Sequence, residues 1–368
     1  MDAVGTSPDL RISLEPRAIA RRLALPAAFA AVVAGVLVVA DGPMQAFADA
    51  LSRAVDADPR WVVGAVGFEL ASFAGYIALL WLVAGRVSPR MDLRASAQIT
   101  LGGAGATRLL PTAGVGGAAL TLWTLRKSGM STPNAARTLF AFLVTLYSVF
   151  LAAIAVSGGL LATGVVASDG PVALAAVPAA LATLAILASL ALGHRARHED
   201  EALRPGRIGA LLSGGRLVGR GVRDGLILLR RPDVRVLGAV AWWTFDAAVL
   251  WAMLHAFGAP PSLAVVALAY FVGQVGNTIP IPGAVSGGIV GVLVAFGVGA
   301  DVALASVLAY RSVAIWLPAG LGIATLPSLR KTLQRWQTPE SVPVPVAPIQ
   351  MFPPAPACTM PAREPVAA

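Results

Sequence analysis

Apolar runs recur along this chain, separated by short polar stretches that hold nearly all of its arginines. Six of them fall at about 23–40, 61–85, 138–167, 171–193, 236–257 and 301–327. Each approaches or exceeds the ~20 residues that cross a hydrocarbon core as a helix. Two further apolar segments, 95–125 and 262–299, are interrupted, and both by the same pattern. A Pro is followed, after four residues, by Gly-Gly: Pro111 before Gly116-Gly117, and Pro282 before Gly287-Gly288. Pro removes a backbone donor and clashes with the preceding turn, and clustered Gly weakens a helix further. Non-helical backbone at membrane depth survives only inside protein or beside a wet cavity. A matched pair of broken segments in two halves of a chain therefore points to a central site.

The polar stretches order these elements. The loop 41–60 is net acidic, with Asp41, Asp49, Asp56 and Asp58 against Arg53 and Arg60. Arg86, Arg90 and Arg94 follow the second run, and Arg126-Lys127 closes the first broken segment. Residues 194–235 carry ten Arg against five acids, and Arg330, Lys331 and Arg335 end the last run. Under the positive-inside rule, a cytoplasmic N-terminus places 86–94, 194–235 and 330–335 inside, and 41–60, 168–170 and 258–261 outside. That arrangement requires each broken segment to enter and leave on one face, the first from the cytoplasm and the second from outside. The expected fold is an all-α polytopic membrane protein with about six full transmembrane helices plus two Pro/Gly-broken re-entrant hairpins in an inverted repeat. A cytoplasmic segment 1–22 leads into a first membrane half, 23–193. A basic cytoplasmic loop, 194–235, precedes the second half, 236–330. The Pro-rich tail 331–368 is expected to be disordered and cytoplasmic. The expected location is the cell membrane.

Two segments admit a second reading. Ala46-Phe47-Ala48 resembles a cleavage site, so 23–40 could be a signal peptide, although the run exceeds a usual signal core and reads better as a retained helix. Within 194–235, Ile208, Leu211, Leu212, Val218, Val222, Leu226 and Leu229 outline an amphipathic helix with Arg on its other face. It suits an anionic leaflet as well as it suits a solvated linker.

Composition narrows the class. Hydrophobic residues make up 57% and charged residues 13%, where soluble domains average about a quarter charged. The net charge of +9 sits in loops between apolar runs without aromatic interleaving, which argues against a nucleic-acid partner. Cys358 is the only cysteine and there are three His, so neither a disulfide nor an intramembrane metal site is expected. No HExxH pair, Asp-rich diphosphate motif, GxSxG elbow or P-loop occurs. Neither catalysis nor a cofactor is expected.

The stretch Asn277-Thr278-Ile279-Pro280-Ile281-Pro282-Gly283-Ala284-Val285-Ser286-Gly287-Gly288 is followed by Phe296-Gly297-Val298. Ala305 to Arg311 and Trp316 to Gly322 complete the series. In this order the chain resembles the flippase-like family, the integral membrane domain of lysylphosphatidylglycerol synthases and its stand-alone relatives. A weaker match runs from Leu109 to Gly117 and through Arg126 to Ser131. The resemblance covers roughly 23–330 and implies a protein that translocates lipid head groups or handles lipid-linked intermediates. Many members carry an Arg and a Glu after the first Pro–Gly turn and an acid–Arg pair in the next helix. Here those stretches read Gly114-Val115-Gly116-Gly117-Ala118-Ala119-Leu120 and Val144-Thr145-Leu146-Tyr147-Ser148, so a cationic head group is not implied. The sequence carries no soluble aminoacyl-transferase segment, so lipid aminoacylation is not expected of it.

Ionisable residues inside a bilayer are costly and face the bundle interior. Arg311 lies deep in the last run, where its guanidinium could hold a lipid phosphate through two donors or pair with Asp246 or Glu69. Arg108 precedes the first break and is its candidate counterpart, or snorkels to an interface. Glu69 and Asp246 are counter-ions or proton-coupling sites. His255 reads as interfacial. Gln274, Asn277 and Tyr310 join Pro111, Gly116, Gly117, Pro282, Gly287 and Gly288 as the candidate binding set. Gln274 and Asn277 could instead satisfy backbone freed by the prolines, and the Gly-Gly pairs could serve close helix packing. The first expectation is a translocator of anionic phospholipid or polyprenyl-phosphate head groups. The alternatives are a membrane enzyme or subunit acting on lipid-linked sugars, and a small-solute or ion transporter. Expected partners are membrane lipids, with a homodimer or a lipid-modifying enzyme as further options.

Overall fold

The computed structural model describes residues 58–109, 115–195, 207–230, 233–258, 261–278 and 283–337. Among them are ten α-helices and no strand. They are α1 (Pro59–Gly85), α2 (Leu93–Leu109), α3 (Val115–Lys127), α4 (Thr132–Ala162) and α5 (Val172–Arg195). Then come α6 (Arg207–Leu229), α7 (Leu237–Ala256), α8 (Leu263–Gln274), α9 (Ala284–Ala295) and α10 (Ala300–Gln337). Five helical segments are long and apolar enough to cross a membrane: α1, α4, α5, α7 with the short turn before it, and α10. The expected first helix at 23–40 lies outside the described residues.

Local chemistry sets several of the ends. Asp58 accepts a hydrogen bond from the Arg60 amide at 2.9 Å and Pro59 opens α1, the usual use of a cap and a donor-free first residue. Ser262 caps α8 through the Val265 amide. Gly283 enters α9 with φ +83°, a left-handed conformation that side chains disfavour.

Helices α1 and α7 form the most extensive packed pair and run antiparallel. Trp61 near the start of α1 stacks edge-on against Trp251 near the end of α7, while Arg86 just after α1 bonds Asp233 just before α7. The close approach falls at Gly75 and Gly238. A Cβ on Gly238 would lie 2.3 Å from the Gly75 carbonyl oxygen, so only glycine fits.

Six of the remaining helices pack in a pattern that survives exchange of the two halves. Helix α2 lies along α10 as α8 lies along α4. Likewise α2 pairs with α3 as α8 does with α9, and α3 meets α4 as α9 meets α10. The two ends of the bundle differ in charge. Arg86 bonds Asp233, Ser88 Oγ bonds the Ser128 carbonyl at 3.1 Å, and Arg90 bonds the Trp336 carbonyl. These contacts gather 86–94, 126–128, 233–235 and 335–336 at one strongly basic end. The segment 93–127 thus begins and ends there.

Helix α6 is covered rather than lying free. Gly221 and Gly225 seat its backbone on Phe140 and Val144 of α4, and Val222 and Leu228 are buried. Arg137 of α4 makes a two-donor ion pair with the buried Asp224. The apolar face, read from sequence as suiting either a leaflet or a solvated linker, meets α4 and α5 over the described half of the helix.

Candidate functional site

Four helices bring polar side chains to a common depth. Glu69 stands ten residues into α1, Asp246 ten residues before the end of α7, and Arg311 eleven residues into α10. At a rise of about 1.5 Å per residue, each lies ~15 Å from the end of its helix remote from the basic end, half the thickness of a ~30 Å hydrocarbon core. Helix α8 is twelve residues long, about 18 Å, so its C-terminus reaches the same level.

There a connected set of hydrogen bonds forms. Asp246 accepts from the hydroxyl of Tyr270, and the Tyr310 hydroxyl lies 3.4 Å from its other oxygen. The Gln274 amide donates to Tyr310 at 3.0 Å, and Asn277 donates to the Gln274 carbonyl oxygen at 2.6 Å. Tyr270 is 0% and Tyr310 1% exposed, while Asn277 is exposed, so the set runs from surface to interior. Glu69, 1% exposed, is close enough to act electrostatically on Tyr270. Ser306 Oγ, one turn before Tyr310, is buried without a hydrogen-bond partner among the described residues. Buried polar groups of this kind cost free energy unless they are connected.

Arg311 borders this set without joining it. It is half-buried and forms no hydrogen bond or ion pair among the described residues. Neither Asp246 nor Glu69, the alternative partners read from sequence, holds it. On the neighbouring face of α10, Ser312 and Trp316, one turn apart, are exposed, Trp316 to 73%.

The remaining candidates divide. Gly287 is exposed with open space where a Cβ would stand, whereas a Cβ on Gly288 would lie 3.1 Å from the Gly273 Cα, so Gly288 serves the α8–α9 crossing. Gly117 accepts from Thr121 Oγ1 at 2.8 Å within α3. Pro111 and Pro282 lie outside the described residues. Arg108 falls in the last turn of α2 and Gly116 in the first turn of α3, with only their backbone described. His255 packs against both Trp61 and Trp251 at the end of α7. Sequence reasoning missed Tyr270, the closest partner of Asp246. Tyr270, Gln274 and Asn277 recur at intervals of four and three, one helical stripe, and that spacing was the available signal.

Among the described residues no group of His, Cys, Asp and Glu could hold a metal ion. The arrangement is a buried carboxylate and tyrosine network beside a half-buried arginine at mid-depth. Its helices define a multi-pass helical membrane protein. A family model, the lysylphosphatidylglycerol synthase TM region, matches residues 23–322. The chain belongs to that family, which ties it to lipid metabolism or translocation. No curated protein matches it significantly.

Proposed function

We propose that the protein translocates lipids whose head groups are anionic, with Arg311 as the residue that engages the phosphate. One observation carries this: a guanidinium at mid-depth, half-buried, with no ion pair among the described residues. Holding such a charge within a bilayer costs at least a few kcal/mol, and a two-donor contact to phosphate would offset that cost. The open edge at Ser312 and Trp316 suits a head group that enters sideways while its chains stay in lipid. The short helices of 93–127 and 263–295 are read as re-entrant hairpins from opposite faces. Counting the helix expected at 23–40, that reading gives six full spans, with cytoplasmic N- and C-termini. The exchange-symmetric packing supports this inverted repeat. No bond-breaking step is assigned to the chain, and the substrate gradient, or protons through Asp246 or Glu69, would drive transfer.

The test is leaflet exchange of labelled phospholipids and polyprenyl phosphates in proteoliposomes. Wild type accelerates exchange of at least one anionic lipid. Arg311→Lys, which keeps the charge but loses the planar fork, slows it at least ten-fold while the protein stays folded. Full exchange by well-folded Arg311→Ala removes this residue from the site. No acceleration of any lipid refutes translocation.

A further inference from the structure

At the basic end, the start of α2 and the last turns of α10 enclose a groove of about 860 Å³ lined by Arg94, Pro327, Ser328, Lys331, Gln334 and Arg335. A smaller hollow of about 330 Å³ adjoins it, sharing Arg94 and Arg335 and adding Arg90 and Asp92. Among the described residues, four cations and one carboxylate line the two hollows, and that carboxylate is engaged: Asp92 accepts the Ala95 amide at 2.7 Å. The cations come from elements more than two hundred residues apart, so their convergence is a product of the fold. It is also braced. Arg335 donates to Thr332 Oγ1 at 3.1 Å, and the buried Thr332 donates to the buried Gln98 at 2.8 Å. Arg90 bonds the Trp336 carbonyl at 3.3 Å. Such anchoring lowers the ordering cost of binding an anion.

The groove's position favours a lipid over a free anion. Helix α10 has 38 residues, about 57 Å at 1.5 Å per residue, well beyond the ~40–45 Å of a whole bilayer. Counted from Ala300, Ser328 to Arg335 lie about 42–52 Å along the helix, at and just beyond the ~40–45 Å depth of a whole bilayer. Immediately before them Ile323 and Leu326 expose 53% and 46% of their surface. Apolar surface thus runs directly into the cations, the order in which an acyl chain and its phosphate are laid out. From this geometry we propose that the groove is a second lipid site, separate from Arg311, that holds the phosphate of a net-anionic phospholipid. It does not depend on translocation.

The full chain in detergent is titrated with dioctanoyl phosphatidylglycerol, dioctanoyl phosphatidylcholine or inorganic phosphate, and thermal unfolding is followed. Phosphatidylglycerol should raise the melting temperature saturably, with phosphatidylcholine and phosphate at least ten-fold weaker. Lys331→Gln/Arg335→Gln should weaken phosphatidylglycerol at least ten-fold, whereas Arg126→Gln, an exposed cation outside the groove, should leave this affinity unchanged. Protection of Lys331 from an amine-reactive reagent, read by mass spectrometry on wild type, tests the same point if the double variant fails to fold. Equal affinity in a folded double variant, or no protection of Lys331, overturns the proposal. Equal binding of inorganic phosphate overturns the lipid assignment.

Discussion

Substitution of Gly238 by Ala tests whether the α1–α7 crossing sets the distance between the two carboxylate-bearing helices. The added Cβ would sit 2.3 Å from the Gly75 carbonyl oxygen and 3.1 Å from the Leu79 nitrogen. Real Cβ atoms essentially never approach closer than 3.0 Å, so the helices must part by roughly 0.7 Å at this point, the difference of those values. Both obstacles are backbone, and no rotamer relieves them. Overpacking of this kind costs about 1–3 kcal/mol, and the upper half of that range is expected because the crossing lies in the most extensive helix pair. Gly75→Ala meets Ala241 Cβ and the Gly238 oxygen at 2.7 Å and should cost somewhat less. Once one substitution has parted the helices, the second has less to displace, so the double variant should fall short of additivity by at least ~0.5 kcal/mol. Gly67→Ala is the control: its Cβ points into open space, and Ala exceeds Gly in helix propensity by up to ~1 kcal/mol. Tryptophan fluorescence during SDS titration in mixed micelles gives the comparison. If Gly238→Ala unfolds at the same SDS fraction as Gly67→Ala, the crossing is not what spaces Glu69 from Asp246.

Three further outcomes are expected. Tyr270→Phe and Tyr310→Phe each remove a hydroxyl beside Asp246 and should cost about 1–3 kcal/mol, read by the same titration; Asp246→Asn added to Tyr270→Phe should recover part of the loss. The hydrogen bond from Arg235, with the charges of Arg235 and Arg86, lowers the Asp233 carboxyl from 3.8 to about 2. A depressed carboxyl stabilises the fold above its unfolded pKa and loses that contribution as pH falls through its folded one. The stability gap between wild type and Asp233→Asn should therefore stay constant above about pH 5 and close between about 4 and 2. In a Cys358→Ser background, cysteines at Asp169 and Gln334 should react with an impermeant reagent from opposite faces, outside and cytoplasmic. Cysteines at Gly287 and Gly117 should do the same in that order, and labelling of both from one face refutes the inverted hairpins.

Much of the helical frame was legible because burial in lipid demands long apolar runs. Those expected at 61–85, 171–193 and 236–257 correspond to α1, α5 and α7 within two residues at each end. The run at 138–167 corresponds to α4 at 132–162, where Ser131 and Pro133 start the helix before the apolar stretch begins. The last run was expected to stop near 327, where charges begin, yet α10 continues to Gln337. Leu329, Leu333 and Trp336 recur at helical spacing and pack into the core, so the amphipathic extension is held by tertiary contact rather than by lipid. Charge alone cannot reveal that difference, and the groove beside Lys331 was hidden for the same reason. The site was legible by residue type but not by partnership. Asp246 invited pairing with Arg311, whereas two tyrosines hold it, one from α8 and one from α10.

The two halves share packing but not chemistry, and that asymmetry bears on how one head group could be held. Aligned on their Pro–Gly-Gly motifs, Arg108 stands three residues before Pro111, where the second copy has Ile279. Gln274 stands eight residues before Pro282, where the first copy has Gly103. Arg311 belongs to α10, whereas its counterpart in the exchange, α4, carries only the apolar residues Phe142 and Leu143 at the same offset from its start. A fully symmetric site would set identical cations facing one another across the exchange axis. In a medium of low dielectric they would repel by several kcal/mol until an anion arrived. Assigning the basic residue to different elements in the two halves avoids that repulsion, and under the proposed function it would leave a site for one phosphate rather than two. Glu69 and Asp246 are the exception, at near-equal offsets on the paired helices α1 and α7. On this argument they are the residues through which a change in one half would be felt in the other. Neutralising either one should then change the response to Arg311 substitution, and leaflet exchange by Glu69→Gln/Arg311→Lys compared with the two single variants measures it. Strictly multiplicative effects on the exchange rate would show that the two halves act independently.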